Sequence, residues 1–73
     1  MPPTAEQWLA SFAASLGRPA PTPAEMEAVL ALASVAAHAS ERSAAPIACW
    51  LAASASVDPE EARRRAEELG FGA

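Results

Sequence analysis

One helix-start pattern occurs three times and divides this chain into segments. A Thr or Asp is followed three residues later by Gln or Glu in T-A-E-Q from Thr4, T-P-A-E from Thr22 and D-P-E-E from Asp58. In this capping box the first side chain accepts a hydrogen bond from the backbone of the third helical residue, whose own side chain bonds back. In two of the stretches proline comes next, where its fixed φ suits the first position of a helix. We therefore expect helices to begin directly after these three residues.

Apolar residues follow each of these starts at spacings of three and four, as the buried face of a helix requires. Gly17 suits the end of the first helix and Gly70 the end of the last, whereas Pro46 fits the first turn of a further short helix. The predicted helices cover about residues 5–16, 23–39, a stretch of about ten residues from Pro46, and 59–69. Because nothing alternates with the period of a strand, the sequence predicts a single small all-α domain over residues 1–73, a compact bundle or orthogonal array of four short helices.

The residues available for a core are few or small. Apolar residues make up 52% of the chain, but most of them are alanine, which favours helix and contributes little buried area. A core this thin indicates either a compact bundle or a domain that depends on a partner. Trp8, Phe12 and Trp50 are predicted to form the aromatic centre of the core, with an aromatic interaction surface as the alternative. The large core candidates are Trp8, Leu9, Phe12, Leu16, Met26, Val29, Leu30, Leu32, Val35, Ile47, Trp50, Leu51, Val57, Leu69 and Phe71.

Charge and hydropathy exclude several classes of function. The formal net charge is −4 and the chain has no lysine, whereas binding to a phosphate backbone requires clustered cations. A nucleic-acid partner is therefore not expected. No apolar run reaches the roughly 18–20 residues of a membrane span, and Pro2, Pro3 and Glu6 stand where a secretion signal carries basic residues. The expected location is the cytoplasm, without a membrane partner.

The most suggestive polar residues surround the predicted break between the second and third helices. His38 and Arg42 are four residues apart and share a face if the second helix continues that far. The start of the third helix at Pro46 offers backbone amides and a positive dipole end, which attract anions. His38, Arg42 and Pro46 are therefore a candidate ligand- or partner-binding site. The alternative is structural, since cations near the end of a helix bind its last carbonyl groups and stabilise its dipole.

The other reactive side chains give little reason to expect catalysis. Cys49 lies beside Trp50 near a helix start, where a thiolate is favoured, but a lone Cys more often packs as a small hydrophobe, and we expect packing here. One His and one Cys are too few for a closed zinc site, so no metal is expected. No Ser–His–Asp set and no Gly-rich phosphate loop occurs in the sequence, so neither an enzyme nor a bound cofactor is expected.

The arginines at 63–65 look like a basic patch but are flanked on both sides by pairs of glutamates. Glu60 and Arg64, and likewise Glu61 and Arg65, are four residues apart in the order that stabilises a helix. The sequence therefore predicts a self-neutralised, solvated helix face. A docking stripe is the alternative.

A longer motif spans the break between the second and third helices. It consists of an apolar helix that ends in Ala-His, an Arg four residues later, then Ala-Ala-Pro, and then an apolar helix with an aromatic residue. The residues concerned are Ala37, His38, Arg42, Ala44, Ala45, Pro46 and Trp50. The stretch resembles a small helical family of actinobacteria described as domain of unknown function 6457, and the resemblance extends over most of the chain. Ala39 and Ala53 depart from the glycines typical of that family, and Ser43 from its proline.

The resemblance implies an accessory role rather than catalysis. Members of that family are often fused to, or encoded beside, a nucleotidyltransferase that attaches guanosine monophosphate to molybdopterin. The first hypothesis is therefore a non-enzymatic accessory domain that docks on a larger protein, such as this guanylyltransferase, through an apolar face or through the corner formed by His38 and Arg42. The alternative is a domain that binds a small anion or phosphate ligand at the same corner.

Overall fold

The computed structural model describes residues 1–69, which form helices and the segments that join them. No strand occurs in this part of the chain, so the all-α prediction is confirmed. In chain order the helices are α1 (Ala5–Ser15), α2 (Pro23–Ala39), α3 (Ala44–Ser54) and α4 (Pro59–Leu69). Gly70, the predicted end of the last helix, and Phe71, a predicted core residue, lie outside the described residues.

Side-chain caps hold the starts of three helices. The Gln7 amide donates to Thr4 Oγ1 over 3.1 Å, and the Thr4 amide donates to Gln7 Oε1 over 2.9 Å. Thr22 and Glu25 form the same two bonds at 3.1 and 2.8 Å. The Asp58 carboxylate accepts bonds from backbone amides in the first turn of α4. The three helix starts that the capping pattern predicts are therefore confirmed.

The remaining helix ends follow from local geometry. α2 has the predicted bounds, whereas α1 ends one residue earlier than predicted, with Leu16 as its C-cap. Gly17 follows with a φ of +70°, a left-handed conformation that glycine adopts without strain. α3 begins at Ala44, so Pro46 is its third residue and lies in the first turn, as predicted.

α2 is the central helix. It packs against both α3 and α4, and α3 also contacts α4. α1 is set apart, since none of its Cα atoms comes within 8 Å of a Cα atom in α2, α3 or α4. Residues 16–22 connect it to this three-helix unit. Within residues 1–69, no helix combines the length and the apolarity needed to cross a membrane.

The interior of the described chain is built mostly from alanine. Its buried apolar residues are Ala13, Ala28, Leu32 and Ala62. Leu32, which is 4% exposed, is the one large side chain among them. Alanine allows helix backbones to approach closely, but closely packed helices leave little space for large side chains between them. Most of the large candidates therefore lie at the edge of the interior or outside it.

The prediction that Trp8, Phe12 and Trp50 form the centre of the core is wrong. These side chains are 54%, 46% and 65% exposed, respectively. The physical reason is that α1 has no helix packed closely against it, and that α3 approaches α2 through smaller residues. The predicted core residues that prove exposed are Leu16, Leu30, Ile47, Leu51 and Leu69, whereas Leu9, Met26, Val29, Val35 and Val57 are half-buried. The observed exposure fits the alternative of an aromatic interaction surface.

Candidate functional site

One exposed apolar surface runs along α1. Trp8 and Phe12 stack with their ring centroids 5.1 Å apart and their planes inclined by 23°. Leu16 follows one turn further along and is also exposed. We call Trp8, Phe12 and Leu16 the α1 stripe. Because residues four apart lie above one another on a helix, the stripe presents a continuous apolar edge to solvent.

α1 faces the start of α2 across an open cleft rather than a packed interface. The cleft has a volume of about 460 Å³. Leu9 of α1 and Met26 and Leu30 of α2 line it, and the carboxylates of Glu6 and Glu27 stand beside them. An isolated helix shorter than about 12–15 residues is only marginally stable in water. α1 has 11 residues and no Cα atom within 8 Å of another helix, so packing against the other helices stabilises it less than it does α2, α3 and α4.

The second exposed apolar surface lies on α3, which has its large side chains outside and its small ones inside. Ile47, Trp50 and Leu51 are exposed and lie on one face, which we call the α3 ridge. The half-buried residues on the opposite side are Ala45, Ala48, Cys49 and Ala52. Ala44–Ser54 contains no charged residue. The outer face of α3 is therefore apolar along most of its length.

His38 and Arg42 do not lie on the same helix. α2 ends at Ala39, so Arg42 lies in the turn before α3 and does not share a helix face with His38. His38 Nδ1 is 2.7 Å from the carbonyl oxygen of Ser34, one turn earlier in α2. That oxygen can only accept, so Nδ1 carries the hydrogen. This bond lies within α2, and Ser34 is not among the last four residues of the helix, so the capping interpretation stays a prediction.

The backbone beside Pro46 offers little to an anion. The amide of Ala44 donates to the carbonyl oxygen of Glu41 over 2.9 Å, and the amide of Ala45 donates to that of Arg42 over 3.1 Å. Pro46 has no N–H to donate. The first three residues of α3 therefore leave no amide available, whereas an anion site at a helix start depends on such amides. His38, Arg42 and Pro46 are all exposed, and their role as a binding site stays a prediction.

The family of the chain follows from a comparison with known proteins. A family model described as domain of unknown function (DUF6457) matches residues 1–70. The chain belongs to this family. The resemblance on which the sequence analysis relied is therefore confirmed. No curated protein and no solved structure matches the chain.

In this DUF6457 chain, Cys49 lies on the inner face of α3. Its Sγ is 3.9 Å from the carbonyl oxygen of Val29, and burial raises the pKa of the thiol. A raised pKa lowers the thiolate fraction, which is the nucleophilic form. This placement supports packing as the role of Cys49. In the part of the chain that the structure describes, no group of three or more His, Cys, Asp or Glu side chains is placed to bind a metal ion.

The arginines of α4 are neutralised within the same helix, as predicted. Arg64 contacts Glu61 at 2.5 Å and Glu68 at 2.6 Å, and Arg65 contacts Glu61 at 2.8 Å. The sequence predicts a pair between Glu60 and Arg64, but Glu60 pairs with Arg63 instead. Hydrogen bonds from Arg64 and Arg65 lower the pKa of Glu61 to about 2. Exposed pairs of this kind contribute little to stability, so α4 is a solvated face rather than a basic patch.

Sequence reasoning placed Leu16, Ile47 and Leu51 in the core and so missed them as surface residues. Two signals of their exposure were present. Three prolines, Pro19 and Pro21 after α1 and Pro23 at the start of α2, keep the first helix from continuing directly into the second. The third helix has no charged residue to mark an outer face. The first signal applies to the α1 stripe and the second to the α3 ridge. These two surfaces are the parts of the domain most suited to binding.

Proposed function

We propose that this DUF6457 domain is a non-enzymatic accessory domain that docks on a larger protein through the α1 stripe. The observation that carries the proposal is the state of α1: it is 11 residues long, contacts no other helix closely and exposes Trp8 and Phe12. Such a helix gains from a second surface, because most helical stability in proteins comes from packing of an apolar face. An amphipathic helix in an apolar groove is a common mode of recognition.

The exposed apolar area of the α1 stripe is large enough to contribute to the free energy of binding. The exposed parts of the three stripe side chains amount to roughly 300 Å², and a complementary apolar surface on the partner about doubles the buried area, which corresponds to about 15 kcal/mol of apolar burial. Association itself costs about 4–15 kcal/mol in lost freedom and ordering. Burial of the stripe therefore has to be nearly complete for measurable affinity, and truncating one aromatic residue should weaken binding strongly.

The partner we propose is a molybdenum-cofactor guanylyltransferase. Support for this partner comes from the family, whose members are often fused to such an enzyme or encoded beside it. A non-enzymatic role is supported by Cys49, which is half-buried with a raised thiol pKa. The role would then be to assist the enzyme in cofactor maturation, with the chemistry carried out by the enzyme.

The test is calorimetric titration of the purified domain into the purified guanylyltransferase encoded in the same genome. We expect a dissociation constant in the micromolar range or below. Trp8→Ala should weaken binding at least tenfold, since it removes the larger ring of the stripe. Trp50→Ala is the matched control, because it removes a tryptophan of similar exposure, 65% against 54% for Trp8, from a different helix. Absence of binding, or an equal loss in both variants, would contradict the proposal.

The alternative function, binding of a small anion or phosphate ligand at His38 and Arg42, draws less support from the geometry. Two backbone amides near this corner already donate within the turn, and Pro46 has none. The alternative has its own test, a thermal-shift titration with nucleotides and pterin phosphates. A rise in melting temperature that disappears in Arg42→Ala would favour it over docking, and no rise would remove it.

A further inference from the structure

We propose that the cleft between α1 and α2 binds a basic amphipathic segment of a partner protein, in which Lys or Arg side chains flank a large apolar one. The volume of the cleft, about 460 Å³, lies within the roughly 300–1,000 Å³ of known binding pockets. The cleft is open to solvent rather than enclosed. This form suits a segment of polypeptide laid into a groove better than a small molecule, which a pocket normally surrounds.

The two walls of the cleft repeat one arrangement of side chains. On α1, Glu6 comes three residues before Leu9, and on α2, Glu27 comes three residues before Leu30. All four residues line the cleft. Because residues three apart lie on the same face of a helix, each wall presents a carboxylate one turn away from an apolar side chain. An occupant of the cleft therefore meets apolar surface on both helices and a negative charge on each of them.

The two carboxylates determine the charge of the occupant. In the part of the chain that the structure describes, no cation lines the cleft, and neither Glu6 nor Glu27 forms an ion pair. The glutamates of α4, by contrast, are paired with arginines of their own helix. The chain as a whole has a net charge of −4. Charge complementarity therefore selects a cationic partner for this cleft and disfavours an anionic one.

Lys and Arg side chains match both properties of the cleft. Their aliphatic stems pack along apolar surface while their charged ends reach a carboxylate, and an Arg can donate two parallel hydrogen bonds to one carboxylate. A second copy of this chain is a poor source of such a segment, since its clustered arginines, at 63–65, are neutralised within α4. A phosphate backbone and an anionic membrane surface carry the wrong charge.

The cleft uses a different face of α1 from the α1 stripe. Trp8 and Phe12 belong to the stripe and do not line the cleft. A segment bound in the cleft contacts both α1 and α2, and so adds packing to a helix whose Cα atoms all lie more than 8 Å from those of the other helices. The proposed site requires neither that the stripe be covered nor that the partner be the guanylyltransferase, and so goes beyond the proposed function.

The experiment begins with selection of binding peptides from a phage-displayed library of random dodecapeptides, with the full chain as the target. We expect the recovered peptides to carry Lys or Arg on both sides of a large apolar residue. The most frequently recovered peptide is then synthesised and titrated into the chain by calorimetry. Its affinity should fall as NaCl is added, because salt screens ion pairs at an open surface.

Two variants and a matched control locate the peptide. Glu27→Gln should lower its affinity roughly two- to fivefold, since one exposed ion pair is lost. Leu30→Ala should lower it roughly fivefold or more, because the α2 wall loses apolar area. Glu41→Gln is the control: it changes the net charge by the same amount at a position that does not line the cleft, and the affinity should not change.

Three outcomes would overturn the proposal. The selection may recover no peptide above background, or peptides without an excess of Lys and Arg. Equal losses of affinity in Glu27→Gln and Glu41→Gln would show that only the overall charge of the chain matters. Binding that is lost in Trp8→Ala but kept in Leu30→Ala would place the peptide on the stripe. Because Trp8→Ala should bind the peptide like the wild type but lose the guanylyltransferase, the site and the proposed function can fail separately.

Discussion

Leu30 and Leu32 offer a direct test of which face of α2 is buried. The two residues are identical, lie two positions apart on the same helix and differ in exposure, at 67% for Leu30 and 4% for Leu32. Leu32 is the largest side chain of the described interior and lies between the elements that pack on α2. Replacing each in turn by alanine keeps helix propensity nearly constant, so the difference between the two variants reports burial.

The magnitude follows from the surroundings of each side chain. Leu-to-Ala changes in buried sites cost about 2–5 kcal/mol, and less where the neighbours can collapse into the space. Leu32 borders two apolar depressions that open to solvent, of about 330 and 280 Å³, so its neighbours have room to move. We therefore expect Leu32→Ala to lower the free energy of unfolding by about 2–3 kcal/mol and Leu30→Ala to lower it by at most about 0.5 kcal/mol. The free energy of unfolding of a domain of this size is about 4–11 kcal/mol, so Leu32→Ala removes a large part of it.

The assay is urea unfolding followed by far-UV circular dichroism. Leu32→Ala should shift the unfolding midpoint clearly to lower urea, and Leu30→Ala should leave it nearly unchanged, with equal slopes for all proteins. Equal losses in the two variants, or a larger loss in Leu30→Ala, would refute the reasoning. Such a result would mean that α1 packs tightly over Leu30 and that the interior extends into the cleft.

Three further predictions follow from local contacts. Thr22→Ala should lower the free energy of unfolding by about 1 kcal/mol, because it removes the cap of α2. Thr4→Ala should reduce the helical circular dichroism signal with little change in melting temperature, because α1 lies apart from the other helices. The folded pKa of Glu61, about 2, lies below its ordinary 4.5, so its stabilisation is present above about pH 4.5 and is lost as the pH falls towards 2. The difference in melting temperature between wild type and Glu61→Gln should therefore shrink over that interval. Cys49 should react slowly with a thiol-directed disulfide reagent at pH 8 and quickly after unfolding in urea, and equal rates would contradict its burial.

The helices could be predicted because their starts depend on neighbouring residues. Thr22, Pro23 and Glu25 lie within four positions, and the hydrogen bonds they form do not depend on the rest of the fold. The predicted start of α2 at Pro23 is accordingly confirmed. The start of α3 was less certain, since Ser43 makes no side-chain cap and Pro46 is compatible with several positions in a first turn.

The buried faces could not be predicted in the same way. In α4, glutamates and arginines mark the solvated side, and Ala62 is left to face inward. α3 has no such residue, so the pattern of apolar positions is compatible with either face being buried. The choice depends on volume: a close approach of α2 and α3 accommodates the alanines of α3 but not Trp50. Volume is a property of the assembled helices and does not appear in the periodicity of one of them.

The corner at His38 and Arg42 shows a similar limit. Whether these residues share a face depends on where α2 ends, and no glycine or asparagine marks that end. The helix ends at Ala39, and the chain then turns through Glu41 and Arg42, whose carbonyl groups accept the first amides of α3. The tight turn thus uses the backbone groups that an anion site would need. A longer connection would have left them available.

The two exposed surfaces have one origin in the composition of the chain. Alanine at the buried positions brings α2, α3 and α4 close together, but it contributes little apolar area to hold them. The large apolar residues, excluded from so narrow an interior, occupy the outer positions of α1 and α3. α2 lies between α1 on one side and α3 and α4 on the other. Met26 and Leu30 line its cleft with α1, whereas Val29 and Leu32 face α3 and α4. The small interior that makes the domain marginal in stability is therefore also what leaves the α1 stripe and the α3 ridge exposed on different helices.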